Sequence, residues 1–406
     1  VSLRIVSTSP VPEVHLVVGT RPEAIKLAPV ALDLARSGRM KAVVLATGQH
    51  PTMVHQALAA FGVKADATMR LDRVDGGLVE LYAQLLPQLD ALWADRPPAA
   101  VVVQGDTSST VAGALAAFWR RVPVVHLEAG LRSFDLDSPF PEEANRRMVG
   151  AIARLHLAPT ERAANNLRRE GVAEDRLLVV GNTVVDAVGT VVRNRTPFGQ
   201  PDLAAVEARA LSGNRRLLLV TVHRRESWGE PLAGVLNAVR TIVREHQDVE
   251  VVLPAHPNPQ VRDQVRQALG DCQRVTITEP LDYPDLVRLL AASTLVLSDS
   301  GGIQEEAPSF KVPVMVLRDV TERQEAVDAG CALLVGTDEE RVTAVAGRLL
   351  GNPAFTAQLT ASGNPFGDGL AGERTEQALA VLLGLAEQMP DQFVPQATEV
   401  RLSQRA

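Results

Sequence analysis

The chain has little cysteine, no surplus of basic charge and no long hydrophobic run. Two cysteines, Cys272 and Cys331, stand among 406 residues. That number excludes a disulfide framework or a multi-cysteine metal site, and a reducing compartment is expected. Lys and Arg total 41 against 48 Asp and Glu, a net charge of −7. Such a balance argues against a general nucleic-acid binder, which needs cations to neutralise a phosphate backbone. It leaves room for a local cationic pocket. No stretch reaches the roughly 18–20 apolar residues needed to span a bilayer. Pro10, Pro12 and Glu13 break the opening apolar residues, and no basic segment precedes an unbroken run. Neither a signal peptide nor an anchor is expected, so the reading is cytoplasmic with no membrane partner. HExxH is missing, and no compact His/Asp cluster suggests a metal.

What is present is ordinary globular composition, 46% hydrophobic and 22% charged, in a chain long enough for two cores. Short β-branched runs alternate with longer Ala/Leu/Arg-rich helical patterns. In the first half the runs are Val14–Val18, Lys41–Leu45, Ala100–Val103, Val122–Leu127, His156–Ala158 and Leu177–Val180. Apolar runs without strict alternation suit parallel strands covered on both faces. A polar segment rich in Pro and Gly near Arg193–Pro201 breaks the pattern, which restarts at Leu217–Val222. The expectation is an α/β protein of two Rossmann-like domains facing across a cleft, residues 1–195 and 196–372. Residues 373–406 would form a helix crossing back to the first domain, then a tail. Ligands should bind beyond the carboxyl ends of the strands.

Several strand exits carry chemistry. Gly19-Thr20-Arg21-Pro22-Glu23-Ala24-Ile25-Lys26 leaves the first strand, with Pro22 suited to a first helical turn. Arg21 and Lys26 beside exposed helix N–H groups suit a diphosphate, although the loop matches neither GxGxxG nor a P-loop. The bland reading is a turn with a surface ion pair. Asp106, in Gln104-Gly105-Asp106-Thr107-Ser108-Ser109-Thr110, is either a helix cap or a cleft carboxylate. Glu128 follows the apolar run Val122–Val125, where a carboxylate is expensive to bury unless paired or protonated. Glu142 and Glu143 follow Pro141 at a helix start, where acids are favoured by the dipole. Together Asp106, Glu128 and Glu142 would bring acid–base machinery to one sheet edge. A salt-bridge network with Arg132, Arg146 and Arg147 is the rival.

In the second half, His223 and Arg225 follow a strand in Thr221-Val222-His223-Arg224-Arg225-Glu226-Ser227. His223 is suited to donate to phosphate or shuttle a proton, and Arg225 to a bidentate phosphate contact. His256 occupies a comparable exit. Each histidine also admits a purely structural role. In Leu297-Ser298-Asp299-Ser300-Gly301-Gly302-Ile303-Gln304-Glu305-Glu306-Ala307 two glycines clear the approach to a helix start. N–H groups at Ser300, Gly301 and Gly302 would cradle a diphosphate, and Glu305 or Glu306 would accept from ribose hydroxyls. Arg323 is a further phosphate donor, or an ion-pair partner for an acidic neighbour.

Taken in order, the stretches GTRPEAIK at 19–26, GDT at 105–107, EAGLR at 128–132, PEEANR at 141–146 and GNTVVDA at 181–187 resemble the non-hydrolysing UDP-N-acetylglucosamine 2-epimerases. HRRES at 223–227, DSGGIQEEAPS at 299–309 and TERQEAV at 321–327 extend the likeness over most of the chain. The resemblance implies a glycosyltransferase type B-like fold and a homodimer. It also implies interconversion of UDP-N-acetylglucosamine and UDP-N-acetylmannosamine without a nicotinamide cofactor or metal. The implied route is elimination of UDP to 2-acetamidoglucal and re-addition, in the service of cell-surface polysaccharide biosynthesis.

By the same likeness the acid–base carboxylates fall on Asp106, Glu128 and Glu142. Phosphate and active-site contacts fall on Arg21, Lys26, His223, Ser300, Gly301, Gly302 and Arg323, and the ribose glutamate on Glu306. His223 is counted with the catalytic residues, and Arg225 and His256 are substrate contacts expected from their strand exits alone. A regulatory loop is implied at Gly48–Met53, with Gln49 and His50 its candidate contacts. The sequence departs from many members at Val222, Pro257 and Gln324, beside contacts rather than on charged groups. Thr52 stands where some regulated members have glutamine. A hydrolysing epimerase, a glycosyltransferase and a non-catalytic nucleotide-sugar-binding regulator are the alternatives. Three anions near a diphosphate cost a pure binder affinity, which disfavours the last.

Overall fold

The apolar runs become parallel strands because both of their faces are covered by helices. The computed structural model describes residues 11–74, 76–224 and 227–395. Within them the chain divides into two compact units, residues 11–187 with 369–393, and residues 188–368 with 394–395. The division falls inside the helix Thr183–Asn194, ahead of the polar segment at which the sequence pattern breaks.

The first unit holds seven parallel strands: β1 (Glu13–Val18), β2 (Lys41–Ala46), β3 (Ala67–Thr68), β4 (Ala100–Gln104), β5 (Val124–Leu127), β6 (Leu155–Ala158) and β7 (Leu177–Val179). Their order across the sheet is β3-β2-β1-β4-β5-β6-β7. Register is continuous at the centre, where Leu16 of β1 stands beside Val44 of β2 and Val102 of β4. One face is covered by the helix Leu78–Asp95, whose Leu81, Leu85, Leu89 and Trp93 recur at helical spacing and are buried. Trp93 Nε1 donates to His15 Nδ1 at 3.0 Å, which satisfies the one polar atom of a fully buried indole. Each of those leucines contributes on the order of 2 kcal/mol of hydrophobic stabilisation.

The second unit holds β8 (Arg216–Thr221), β9 (Val249–Pro254), β10 (Val275–Thr278), β11 (Ser293–Ser298), β12 (Val314–Val316) and β13 (Ala332–Leu334). Their order is β10-β9-β8-β11-β12-β13, again all parallel. Both units are therefore the Rossmann-like α/β architecture expected from the alternating pattern. In each, strand order reverses once, between β1 and β4 and between β8 and β11. Loops leaving the carboxyl ends there diverge to opposite faces and open a crevice.

The helix Ala371–Leu382 belongs to the first unit. Asp186 accepts from Gly372 N at 2.8 Å and Ala371 N at 3.3 Å, and Arg39 pairs with Glu376. Three details differ from the sequence pattern. The run at Val122–Leu127 begins its strand only at Val124, because Pro123 has no N–H for the ladder. β3 has two residues, too few to show a period. The helix Thr183–Asn194 is hidden by its Val-Val pairs, β-branched residues that read locally as strand. Among the described residues no helix is long and apolar enough to cross a membrane.

Candidate active site

In the first unit the candidate residues gather around the β1/β4 reversal. Arg21 opens the helix Arg21–Ser37, with Pro22 in its first turn as the sequence predicts. Lys26 lies one turn further on the same helix, is buried, and forms an ion pair with Glu128. Glu128 leaves β5 in the left-handed region, φ 60°. A non-glycine residue held there costs on the order of 1 kcal/mol or more, and such strain is concentrated at functional positions. Gln104 Nε2, from the end of β4, donates to the same Glu128 oxygen at 2.8 Å.

Asp106 follows β4 by two residues. Its Oδ2 accepts from Arg146 through Nε and a terminal nitrogen, both at 2.8 Å, and its carbonyl accepts from Asn145 Nδ2 at 2.7 Å. His126 Nε2 lies 2.8 Å from the Gly105 carbonyl and holds the same turn from β5. Glu142 opens the helix Glu142–Ile152 and is half-buried, without hydrogen bond or ion pair among the described residues.

The ion-pair alternative is realised only in part. Arg132 pairs with Glu170, and Arg147 with Glu143. Among the described residues, Arg146 is the one of these three arginines that reaches a candidate carboxylate, Asp106. Glu143, fully buried, is the structural acid of its pair. Burial pushes its carboxyl up, but the Ser133 N–H and the Arg146 and Arg147 guanidiniums outweigh this and hold it below the ordinary range. The loop after β2 joins the same edge: Ser109 Oγ donates to Gln49 Oε1 at 2.7 Å, and His50 N donates to Gly19 O at 3.0 Å.

In the second unit the residues gather at the β8/β11 reversal. His223 follows β8, and its Nδ1 lies 2.9 Å from Asp299 Oδ1. Asp299, fully buried just past β11, also accepts from His223 N, Arg224 N and Ser227 Oγ. Burial raises its carboxyl, but these donors, His223 foremost, bring it below the ordinary value. One anion thereby fixes both the loop and the imidazole, leaving His223 Nε2 on the half-exposed side. The sequence placed Asp299 in the loop without a role; its position directly before Ser300-Gly301-Gly302 was the available signal.

Arg323 Nε donates to Glu305 Oε1 at 2.9 Å. Its guanidinium lies against Gly301, where an added Cβ would stand 3.0 Å from Arg323 Cζ. A side chain at Gly301, the first of the two glycines, would therefore have to push the Arg323 guanidinium aside by a few tenths of an ångström. Glu305 serves Arg323, and the neighbouring Glu306 is also buried. His256 accepts from Asn258 N at 3.1 Å through Nδ1, and its ring centroid is 5.2 Å from that of Trp228. Arg225 lies outside the described residues. Among the described residues no group of three or more His, Cys, Asp or Glu is placed to hold a metal ion.

Two Rossmann-like units with charged and glycine-bearing loops at both reversals define the class: an α/β protein of glycosyltransferase type B-like architecture. Residues 32–380 match the family model described as UDP-N-acetylglucosamine 2-epimerase, and the chain belongs to that family. It is 44% identical over 381 residues to the UDP-N-acetylglucosamine 2-epimerase of Bacillus subtilis, covering 94% of this chain and 98% of the relative. Among solved structures, a putative UDP-N-acetylglucosamine 2-epimerase from Listeria monocytogenes is similar with a TM-score of 0.86 and 38% identity. The match covers 94% of this chain and 99% of that one. The Neisseria meningitidis UDP-GlcNAc 2-epimerase bound to UDP-GlcNAc is similar with a TM-score of 0.80 and 38% identity, over 89% and 97% of the two chains.

Proposed function

We propose that this chain interconverts UDP-N-acetylglucosamine and UDP-N-acetylmannosamine by inverting C2, without hydrolysing the nucleotide-sugar. The reading is supported by Asp106 and Glu128 following the adjacent strands β4 and β5, and by Glu142 opening the helix whose Arg146 holds Asp106, in a chain belonging to this family. In the proposed route a carboxylate removes the C2 proton and the C1–O bond to UDP breaks. The bond's electron pair leaves on the diphosphate, giving 2-acetamidoglucal. Re-addition of UDP to C1 with proton delivery to the other face of C2 gives the epimer, and no oxidant is consumed.

Two epimers require protons on opposite faces, which one carboxylate does not easily serve; several acids supply that need. His223, oriented by Asp299, and Arg323, held by Glu305, supply donors suited to the charge that develops on the leaving diphosphate. Arg21, Arg225, His256, Ser300, Gly301 and Gly302 are proposed substrate contacts, with Lys26 holding Glu128 and Glu306 serving the ribose. Gln49 and His50 are the proposed contacts of a second, regulatory molecule of substrate. The chain is read as a cytoplasmic homodimer with nucleotide-sugars as its small-molecule partners.

The test is the fate of the diphosphate. On incubation with UDP-N-acetylglucosamine, phosphorus NMR should show the sugar still attached to UDP while proton NMR shows the mannosamine epimer. Accumulation of free UDP and free sugar at the rate of turnover would replace this reading with a hydrolysing one.

A further inference from the structure

A second buried carboxylate, at the β1/β4 reversal, has no part in the chemistry described so far. Glu23 lies in the first turn of the helix Arg21–Ser37 and is 1% exposed. Its Oε2 accepts from Gly19 N at 3.0 Å and Thr20 N at 2.6 Å. Its Oε1 accepts from Thr107 Oγ at 2.7 Å and Thr110 Oγ at 3.0 Å. One oxygen therefore holds the loop after β1, and the other holds the loop after β4. Among the described residues Glu23 has no cationic partner. Burial pushes its carboxyl up, and the donors from Thr107, Thr20, Thr110 and Gly19 work against that shift. Four convergent donors also give the carboxyl group a geometric task.

The residues on either side say what that task is. The two backbone N–H groups belong to the residues immediately before Arg21, so they fix the peptide from which Arg21 departs. Thr107 immediately follows Asp106, so its hydroxyl fixes the turn whose carboxylate Arg146 holds from the other side. The helix that follows this loop, Ser108–Trp119, reaches the loop after β2, with Thr47 Oγ1 at 2.8 Å from Ser109 Oγ. Asp299 plays the corresponding part in the second unit, where one buried anion also binds two backbone N–H groups of the neighbouring loop and a hydroxyl.

We infer that Glu23 is a positioning residue for the epimerisation, setting the placement of Arg21 against Asp106. The inference rests on the functional reading above. Glu23 touches no reacting atom; it acts through the residues that do. Misplacement of a reacting group by about 1 Å costs on the order of 100-fold in rate.

The test is steady-state kinetics, UDP titration and thermal unfolding of the full chain, with kcat taken per folded protein. Glu23→Gln keeps the length and one acceptor oxygen, but turns an amide toward groups that donated to a carboxylate. It should lower kcat at least tenfold, with a smaller rise in KM and in the Kd for UDP, since Arg21 is itself a proposed substrate contact. Thr107→Val should lower kcat similarly, and Thr107→Ser, which keeps the hydroxyl, should recover most of it. The double variant Glu23→Gln/Thr107→Val should be little worse than either single one, because both break the same link. Failure of Glu23→Gln to fold, a kcat within threefold of the parent, or fully multiplicative losses would overturn the inference alone. A parent chain that binds UDP but makes no epimer would overturn the functional reading beneath it.

Discussion

Five buried or half-buried acids near the first unit's sheet edge are distinguished by what holds them. Asp106 has Arg146, Glu128 has Lys26 and Gln104, Glu143 has two guanidiniums, Glu23 has four uncharged donors, and Glu142 makes no hydrogen bond among the described residues. Asp106→Asn, Glu128→Gln and Glu142→Gln should each reduce kcat by 100-fold or more, in line with general acid–base contributions of roughly 10²–10⁴. UDP affinity, measured by calorimetry, should change by less than about threefold. A variant that loses UDP binding in proportion to turnover would return that residue to a structural role.

Another residue-scale prediction concerns pH. His126 of β5 and His156 of β6 are register neighbours, and burial pushes His126 down to about 4 and His156 to about 3. Both are neutral in the fold, whereas the unfolded chain takes up protons near pH 6.5. The unfolded state therefore binds more protons below that value, so stability falls as pH drops from about 6.5 toward about 4. Neither ring nitrogen of His156 has a hydrogen-bond partner among the described residues. Such a group costs on the order of 1–3 kcal/mol. His156→Leu should therefore be neutral or stabilising at pH 7.5 and should flatten the loss at pH 5, as read from urea unfolding at the two values. An unchanged slope would show that other groups carry the acid sensitivity.

At the scale of elements, the loops work because the backbone is forced into place. Gly130 has φ 94°, and a Cβ there would stand 2.2 Å from the Ala163 carbonyl. Gly130→Ala should shift the turn that begins at Glu128. A fall in melting temperature of several degrees and a larger fall in kcat are expected; calorimetry and turnover together check both. In the helix Leu78–Asp95, Leu85→Ala should cost about 2–5 kcal/mol of stability through lost burial and a cavity, with KM unchanged in the folded fraction.

The strands were legible because apolar runs with β-branched residues have few other uses. The helix starts at Arg21 and Glu142 were legible from Pro22 and Pro141. The helix Thr183–Asn194 was not, since local β-branching outweighs its longer period. At the site, the charged loops were readable from their place after strands, but their pairings were not. Nothing local says that Lys26 meets Glu128 across 102 residues, or that Arg146 chooses Asp106 and leaves Glu142 without a partner. The same holds for Asp299, whose role depends on a loop 76 residues earlier. Tertiary pairings of this kind follow from strand order, which periodicity does not encode.

At the scale of the whole molecule, one rule is used twice. Each unit places its polar loops where strand order reverses, and each fixes them with a buried acid, Glu23 in one and Asp299 in the other. The acidic net charge of −7 is consistent with function through local cations rather than a basic surface. The central claim is that the carboxylates of the first unit exchange the proton at C2. Incubation with UDP-N-acetylglucosamine in deuterated water tests it directly, with NMR following C2 of both epimers. The account predicts UDP-N-acetylmannosamine carrying deuterium at C2. Epimer formed with C2 still fully protonated, or no exchange and no epimer under conditions that bind the substrate, would contradict it.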